Sequence, residues 1–419
     1  MTVTASAHLT VPHPPARPGE QPDFSYLALS AAGVQPRPSV SAPYRETVPL
    51  SEGLIRVLDD NGIAVGAWQP QIQPDELVAG MRHMVMTRVF DDRMYRAQRQ
   101  GRISFYMKST GEEAVSVAAG MALREDDMLF PSYRNQGLQF VRRRDPVQLM
   151  CQLLSNSHDM CKGRQLPVFY HSAEANLFTI SGNLTTQFPQ AVGWAMAAEI
   201  KGDDRIAATW TGEGSTAEGD FHQALTFAAV YQAPVILNVV NNQWAISTFQ
   251  GIAGGFHQTF AARGPGYGLP GLRVDGNDFL AVYAVTQWAA ERARLGHGAT
   301  LIESVTYRVD GHSTSDDPTR YRAIDEARRW PLGDPVERLK RHMIGRGIWS
   351  EAQQAELAAQ CTTVVTEAWQ EARKYGTLTE GPRPDPASMF EDVYKVMPAN
   401  LRRQCQQMLA ERGDRQCQP

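Results

Sequence analysis

The chain has 419 residues, 42% hydrophobic and 21% charged, with 41 Lys+Arg against 45 Asp+Glu and a formal charge of −4. Those proportions exclude disorder throughout, allow a large buried core and argue against a dedicated nucleic-acid binder, which carries a basic excess. No apolar run approaches the roughly 20 residues that span a bilayer, and five scattered cysteines without a CxxC pair argue against a disulfide framework or a structural zinc. With neither a secretory nor a transit pattern at the amino terminus, the cytoplasm is the expected compartment.

Residues 1–50 hold nine of the 26 prolines, which reads as an extended arm. Phe24, Tyr26 and Leu27 suit an arm that wraps over another subunit, and a disordered tail fits as well. Regular structure is predicted to begin at Pro74-Asp75-Glu76, a proline and two acids in a first helical turn, with Gly101 ending the run. A helix over 111–123 and a short strand over 127–130 follow. From residue 190 the pattern alternates: helix 190–200, strand 206–210, helix 217–230, strand 235–240, strand 272–274, helix 279–295, strand 301–307. Such alternation predicts right-handed crossovers and an α/β fold with a mostly parallel sheet covered on both faces. Two more helices, 336–344 and 351–375, then a Pro-rich joint and an amphipathic segment complete the chain. The expected division is an arm over 1–70, an α/β domain over 71–335 and a helical extension over 336–419.

Chemistry concentrates in Thr211-Gly212-Glu213-Gly214-Ser215, about 30 residues before Asn241-Asn242-Gln243-Trp244. Each cluster lies at the carboxyl end of a predicted strand, where parallel sheets bind ligands. The glycines permit a tight turn against a ligand, and the following helix is expected to turn its N–H groups toward an anion. Glu213 and Asn242 are hard oxygen donors suited to Mg²⁺ beside phosphate oxygens. A dinucleotide fingerprint would need GxGxxG, but the third glycine is Gly219; a P-loop would need Gly-Lys-Ser/Thr, which is absent. The paired motif fits the thiamine diphosphate signature instead.

Further stretches extend the likeness: Phe105-Tyr106-Met107, Gly111-Glu112-Glu113-Ala114, Lys162-Gly163-Arg164-Gln165, Arg263-Gly264-Pro265-Gly266-Tyr267-Gly268, Asp275-Gly276-Asn277-Asp278 and His312-Ser313-Thr314-Ser315-Asp316-Asp317. Over about residues 70 to 400 the chain resembles the alpha subunit of the heterotetrameric 2-oxo acid dehydrogenases, most closely the branched-chain type. The resemblance implies a thiamine diphosphate-binding fold. It implies Mg²⁺ on Glu213, Asn242 and the main-chain oxygen of Trp244, and cofactor contacts from Tyr133, Arg134, Gly182, Leu184, Gly214, Ser215 and His312. Leu184 would prop the cofactor in its bent shape. His312 would also be catalytic in acyl transfer, with Arg308, Asp316, Asp317, Tyr321 and Arg322 ordering its loop by charge pairing. Ser181, Asn183, Thr186 and Gln187 match a monovalent-cation (K⁺) site. Val240 stands where relatives often carry an arginine, and Ala323 replaces one of two serines that a kinase modifies in animal relatives; the other is Ser313, read as a local hydrogen-bonding group.

The reaction implied is oxidative decarboxylation of 3-methyl-2-oxobutanoate and related branched-chain 2-oxo acids, with reductive acylation of a lipoyl group on an acyltransferase core. In this family the carboxylate that activates the cofactor comes from a beta subunit, so an α2β2 heterotetramer is expected. A pyruvate or acetoin dehydrogenase alpha subunit, a non-catalytic scaffold and a Mg²⁺-nucleotide hydrolase are the rival readings.

Overall fold

The computed structural model describes residues 10–412. In chain order its helices are α1 (Val48–Glu52), α2 (Pro74–Arg99), α3 (Glu113–Ala122), α4 (Gln136–Val141), α5 (Pro146–Leu154), α6 (Gln187–Ile200), α7 (Gly219–Val230), α8 (Arg263–Gly266), α9 (Phe279–Arg294), α10 (Pro335–Gly345), α11 (Glu351–Lys374) and α12 (Ala399–Arg412). Its strands are β1 (Leu54–Ile55), β2 (Met128–Phe130), β3 (Ala207–Gly212), β4 (Val235–Asn241), β5 (Trp244–Ala245), β6 (Thr248–Phe249), β7 (Gly271–Asp275) and β8 (Thr300–Val305). Six of them form one sheet in the order β1-β7-β8-β4-β3-β2, every pairing parallel. Among the described residues no helix is long and apolar enough to cross a membrane.

Burial on both faces explains why β4 is apolar from Val235 to Val240 except at Asn238, whose Nδ2 donates to Thr209 O (3.0 Å). Val235, Leu237 and Val239 pack with Phe188, Ala191 and Phe221 of α6 and α7. Ile236 and Val240, one residue out of phase, pack with α3 and α9 on the opposite face. Both faces are therefore covered by helices. α2 begins as expected, with Pro74 at its first position and Glu76 closing a capping box with Gln73. Gly80 gives α2 its close approach to α9, because a Cβ there would collide with the Phe279 ring.

Three observations differ from the sequence reading. The segment read as an arm up to residue 70 supplies β1, which pairs with β7 in register Leu54↔Arg273. The arm also lies on its own chain. Its backbone, poor in N–H groups because of proline, serves as a row of acceptors: Trp68 Nε1 donates to Pro36 O, Trp288 Nε1 to Pro38 O, and Arg292 Nη1 to Val40 O and Ala42 O. Second, the carboxyl-terminal helices are not an outlying appendage. Val365, Trp369 and Ala372 of α11 share a core with Phe90 of α2 and Leu149 and Leu153 of α5, and Arg93 stacks on the Trp369 ring at 4.5 Å. Third, Cys405 is disulfide-bonded, while Cys151, Cys161 and Cys361 are buried free thiols. The sequence reading also did not foresee α4, α5 and the β5–β6 hairpin, whose strands are two residues each.

Asp278 joins the arm to the sheet. Its Oδ1 caps α9 at Ala281 N (3.1 Å) and its Oδ2 accepts from Val57 N (2.8 Å) and Leu58 N (2.6 Å). Replacement by alanine removes a cap and leaves two buried N–H groups bare, so Asp278→Ala is expected to cost on the order of 2–4 kcal/mol. A chemical denaturation midpoint unchanged from the parent would contradict that assignment.

Candidate functional site

β3 and β4 are neighbours, with Gly212 opposite Val240, so the turns that follow them open onto the same edge of the sheet. There they line a cavity of about 370 Å³. Glu213 opens a 3₁₀ turn (Glu213–Ala217), and α7 starts only at Gly219. The backbone facing the cavity after β3 thus belongs to this turn rather than to the first turn of a long helix, as the sequence had suggested. The close approach of the two turns requires Gly214, where a Cβ would collide with Cβ of Ala245. Between Asn242 and Trp244, Gln243 is held at φ +76°.

Glu213 is 1% exposed and its Oε1 has no hydrogen-bond partner. Burial pushes its carboxyl up to about 7, against the pull of Arg308. Asn242 donates from Nδ2 to Glu112 Oε1 (2.7 Å), and its Oδ1 accepts only a long bond from Trp244 N (3.3 Å). The Trp244 carbonyl accepts from Arg308 Nη1 at 2.6 Å. Arg134 and His312 line the same cavity, and Arg308 is buried against His312, its Nη1 3.5 Å from Nδ1. Arg134 Nη1 donates to Lys108 O (2.5 Å) and Nη2 to His312 O (2.8 Å), while Nε lies 3.6 Å from Glu112. The segment bearing Lys108 is fixed by Asp91, which accepts from Tyr106 OH and from Ser109 N and Oγ. Burial, then the neighbouring charges of Arg134 and Arg308, lower the His312 imidazole to about 3. It is therefore neutral at pH 7. The Tyr133 ring meets it edge-on at 6.0 Å.

The loop after β8 is ordered mostly by arginines donating to main-chain oxygens, rather than by the charge pairs expected from the sequence. Arg322 donates to Arg308 O (2.7 Å), Val309 O (2.6 Å) and Asp310 O (3.0 Å). Arg308 Nη2 donates to Ile246 O and to Tyr321 OH, and the ion pair between Arg308 and Asp316 is long, at 3.9 Å. Asp316 Oδ2 accepts from His312 N and Tyr321 OH, both at 2.6 Å. Asp317 is exposed and caps the turn Pro318–Arg320 through Thr319, apart from this network. Ser313 Oγ accepts from Ser315 N (3.2 Å), a local bond.

Ser181, Asn183, Leu184, Gln187, Gly214 and Ser215 line the cavity, but Gly182 and Thr186 do not. Gly182 faces an adjoining groove beside Phe169 instead. Thr185 and Glu112 are among the lining residues that escaped the sequence reading. Thr185 at φ +63° donates to Ser215 O (2.7 Å). Glu112 is 2% exposed, and burial raises it to about 7 while Arg134 and Asn242 pull it down. Its neighbour Glu113 turns away to Arg88 (2.8 Å), so the signal lay in the pair of acids but not in which of them faces the cavity.

The chain belongs to the dehydrogenase E1 component family, whose model matches residues 81–380. A second model, the 2-oxoisovalerate dehydrogenase E1 alpha subunit N terminal, matches residues 5–43. The chain is 59% identical over 400 residues to the 2-oxoisovalerate dehydrogenase subunit alpha of Pseudomonas aeruginosa, covering 96% of this chain and 98% of that one. It is 40% identical over 358 residues to the mitochondrial 2-oxoisovalerate dehydrogenase subunit alpha of Mus musculus, covering 84% and 78% respectively.

Proposed function

We propose that the chain is the alpha subunit of a branched-chain 2-oxo acid dehydrogenase and holds the diphosphate and metal end of thiamine diphosphate. The observation that carries this is the unpartnered, buried Oε1 of Glu213 in a cavity that Arg134 and His312 also line. A lone carboxylate oxygen sealed from water is costly unless a cation meets it. The guanidinium of Arg134 at the cavity wall suits phosphate oxygens. Mg²⁺ would sit on Glu213, the weakly used Oδ1 of Asn242 and the second lone pair of the Trp244 carbonyl. The diphosphate would meet Tyr133, Arg134, His312 and the backbone of Gly214 and Ser215. Leu184, 45% exposed at the cavity wall, is the apolar side chain available to prop the cofactor. The buried, unpartnered Oε1 of Gln187 supports a K⁺ ligand at that position.

When bound, thiamine diphosphate supplies the electron sink for decarboxylation. This chain's part is to bind and orient it. His312, neutral in the structure, would act as a hydrogen-bond partner until a bound anion offsets the two arginine charges that depress it. The substrate class is the branched-chain 2-oxo acids, 3-methyl-2-oxobutanoate among them, with the acyl group passed reductively to a lipoyl group on an acyltransferase core. A beta subunit would complete the site in an α2β2 assembly, and the apolar side chains of Leu184, Ile246 and Ile252, each about half exposed, suit such a covering partner.

The purified chain alone should not turn over 3-methyl-2-oxobutanoate, whereas the chain co-expressed with its beta partner should, and should prefer it to pyruvate in kcat/KM. Turnover by the isolated chain would remove the need for a second subunit, and a preference for pyruvate would overturn the substrate reading.

A further inference from the structure

The proposed metal site takes one ligand from a main-chain carbonyl on a two-residue strand, and such a carbonyl points only where its surroundings hold it. We infer that Glu326 is a positioning residue for the cofactor site: by holding the indole of Trp244, it aims the Trp244 carbonyl at the divalent ion. This rests on the metal reading proposed above.

Glu326 is 0% exposed, and its Oε1 accepts from both Trp244 Nε1 and Tyr307 OH, each at 2.8 Å. Trp244 is therefore gripped twice, by Glu326 at its indole and by Arg308 at its carbonyl. The local backbone contributes little stiffness. The β5–β6 hairpin is two residues per strand, preceded by Gln243 at φ +76° and turning at Ile246 at φ +55°. Tyr307 follows β8 and also accepts a bond from Arg322 Nη1 at 3.1 Å, so Glu326 ties the hairpin to the loop that carries His312. The carboxylate satisfies two buried donors, at the cost of an Oε2 buried without a partner. The same bonds fix the direction in which the indole lies.

The test uses the assembled α/β enzyme with thiamine diphosphate and Mn²⁺ as the probe, with free Mn²⁺ counted by electron paramagnetic resonance. Glu326→Ala is expected to weaken Mn²⁺ binding by roughly tenfold or more, as loss of an outer partner of a metal ligand does. Trp244→Phe keeps the carbonyl and an aromatic ring but removes the indole N–H and part of the ring volume, so it should lose at least a similar factor, and the double variant should lose no more than Trp244→Phe. Glu326→Gln keeps an oxygen acceptor and should stay within about threefold of the parent. Parental Mn²⁺ affinity in Glu326→Ala, or losses that multiply in the double variant, overturns the inference. Should Glu326→Ala not assemble, Trp244→Phe decides alone, and unchanged affinity there is equally fatal. Glu213→Gln is the control: parental affinity in that variant sinks the metal reading itself, whereas loss there with retention in Glu326→Ala sinks only the role of Glu326.

Discussion

Glu213→Gln in the assembled enzyme loses Mg²⁺-dependent binding of thiamine diphosphate by more than the roughly 10–100-fold that removal of a metal ligand's outer partner costs. The variant keeps the side chain's volume and one oxygen, so the loss reports the charge. The metal-free chain should respond in the opposite sense. Burial raises the Glu213 carboxyl from its ordinary 4.5 to about 7. Between those values the folded state holds a proton that the unfolded state has released, so stability falls as pH rises through this window. Glutamine has no such proton to lose. Metal-free Glu213→Gln should therefore melt at or above the parental temperature at pH 7, with a flatter dependence between about pH 4.5 and 7. Isothermal calorimetry and melting curves check the two halves, and parental Mg²⁺ affinity in Glu213→Gln would end the proposal.

Arg134→Ala should raise the KM for thiamine diphosphate by roughly 10–150-fold, the worth of a charge-assisted bond to a phosphate oxygen. Two further losses come with it. Lys108 O and His312 O each lose a donor, and Glu112 is left buried with Asn242 as its remaining close partner. Arg134→Lys restores charge but not the fork that reaches both carbonyls, so it should recover only part of the affinity. With Arg134 gone, one of the two positive charges that depress His312 disappears, and the imidazole should titrate above its present value of about 3. NMR of the His312 ring can follow that rise. An unchanged titration together with a parental KM would show that Arg134 acts on neither.

Much of the fold was legible because its strongest signals are periodic. The bounds of α2, α9 and α11 were foreseen to within a few residues, since each has a capping residue or proline at its start and an amphipathic or wholly buried run behind it. The tips of β3 and β4 were legible because glycine and paired asparagine break an apolar strand. What stayed hidden depends on tertiary placement. β1 is two residues long and exists only because β7 offers an edge. Glu112 and Glu113 are adjacent acids, and only the packing of α3 sends one to the cavity and the other to Arg88. Gly182 and Thr186 lie in a stretch whose neighbours line the cavity, yet the chain turns them elsewhere, and no local pattern marks that turn. The arginines after β8 look in sequence like partners for the nearby aspartates, but their geometry favours carbonyls, which accept a guanidinium without losing a hydrated charge.

The proline-rich ribbon at the amino terminus has a consequence for how this protein comes apart. Trp68, Trp288 and Arg292 have buried side chains, and Pro36, Pro38, Val40 and Ala42 supply the acceptors for their N–H groups. Peeling back one rung would strand a donor in a dry setting while its neighbours still hold the next rung down, so partial detachment gains almost no freedom for its cost. The ribbon should zip on and off as one cooperative piece, and because Tyr26 further back along it donates to Gln243 and meets the Phe249 ring, its loss would also unsettle the hairpin that bears Trp244.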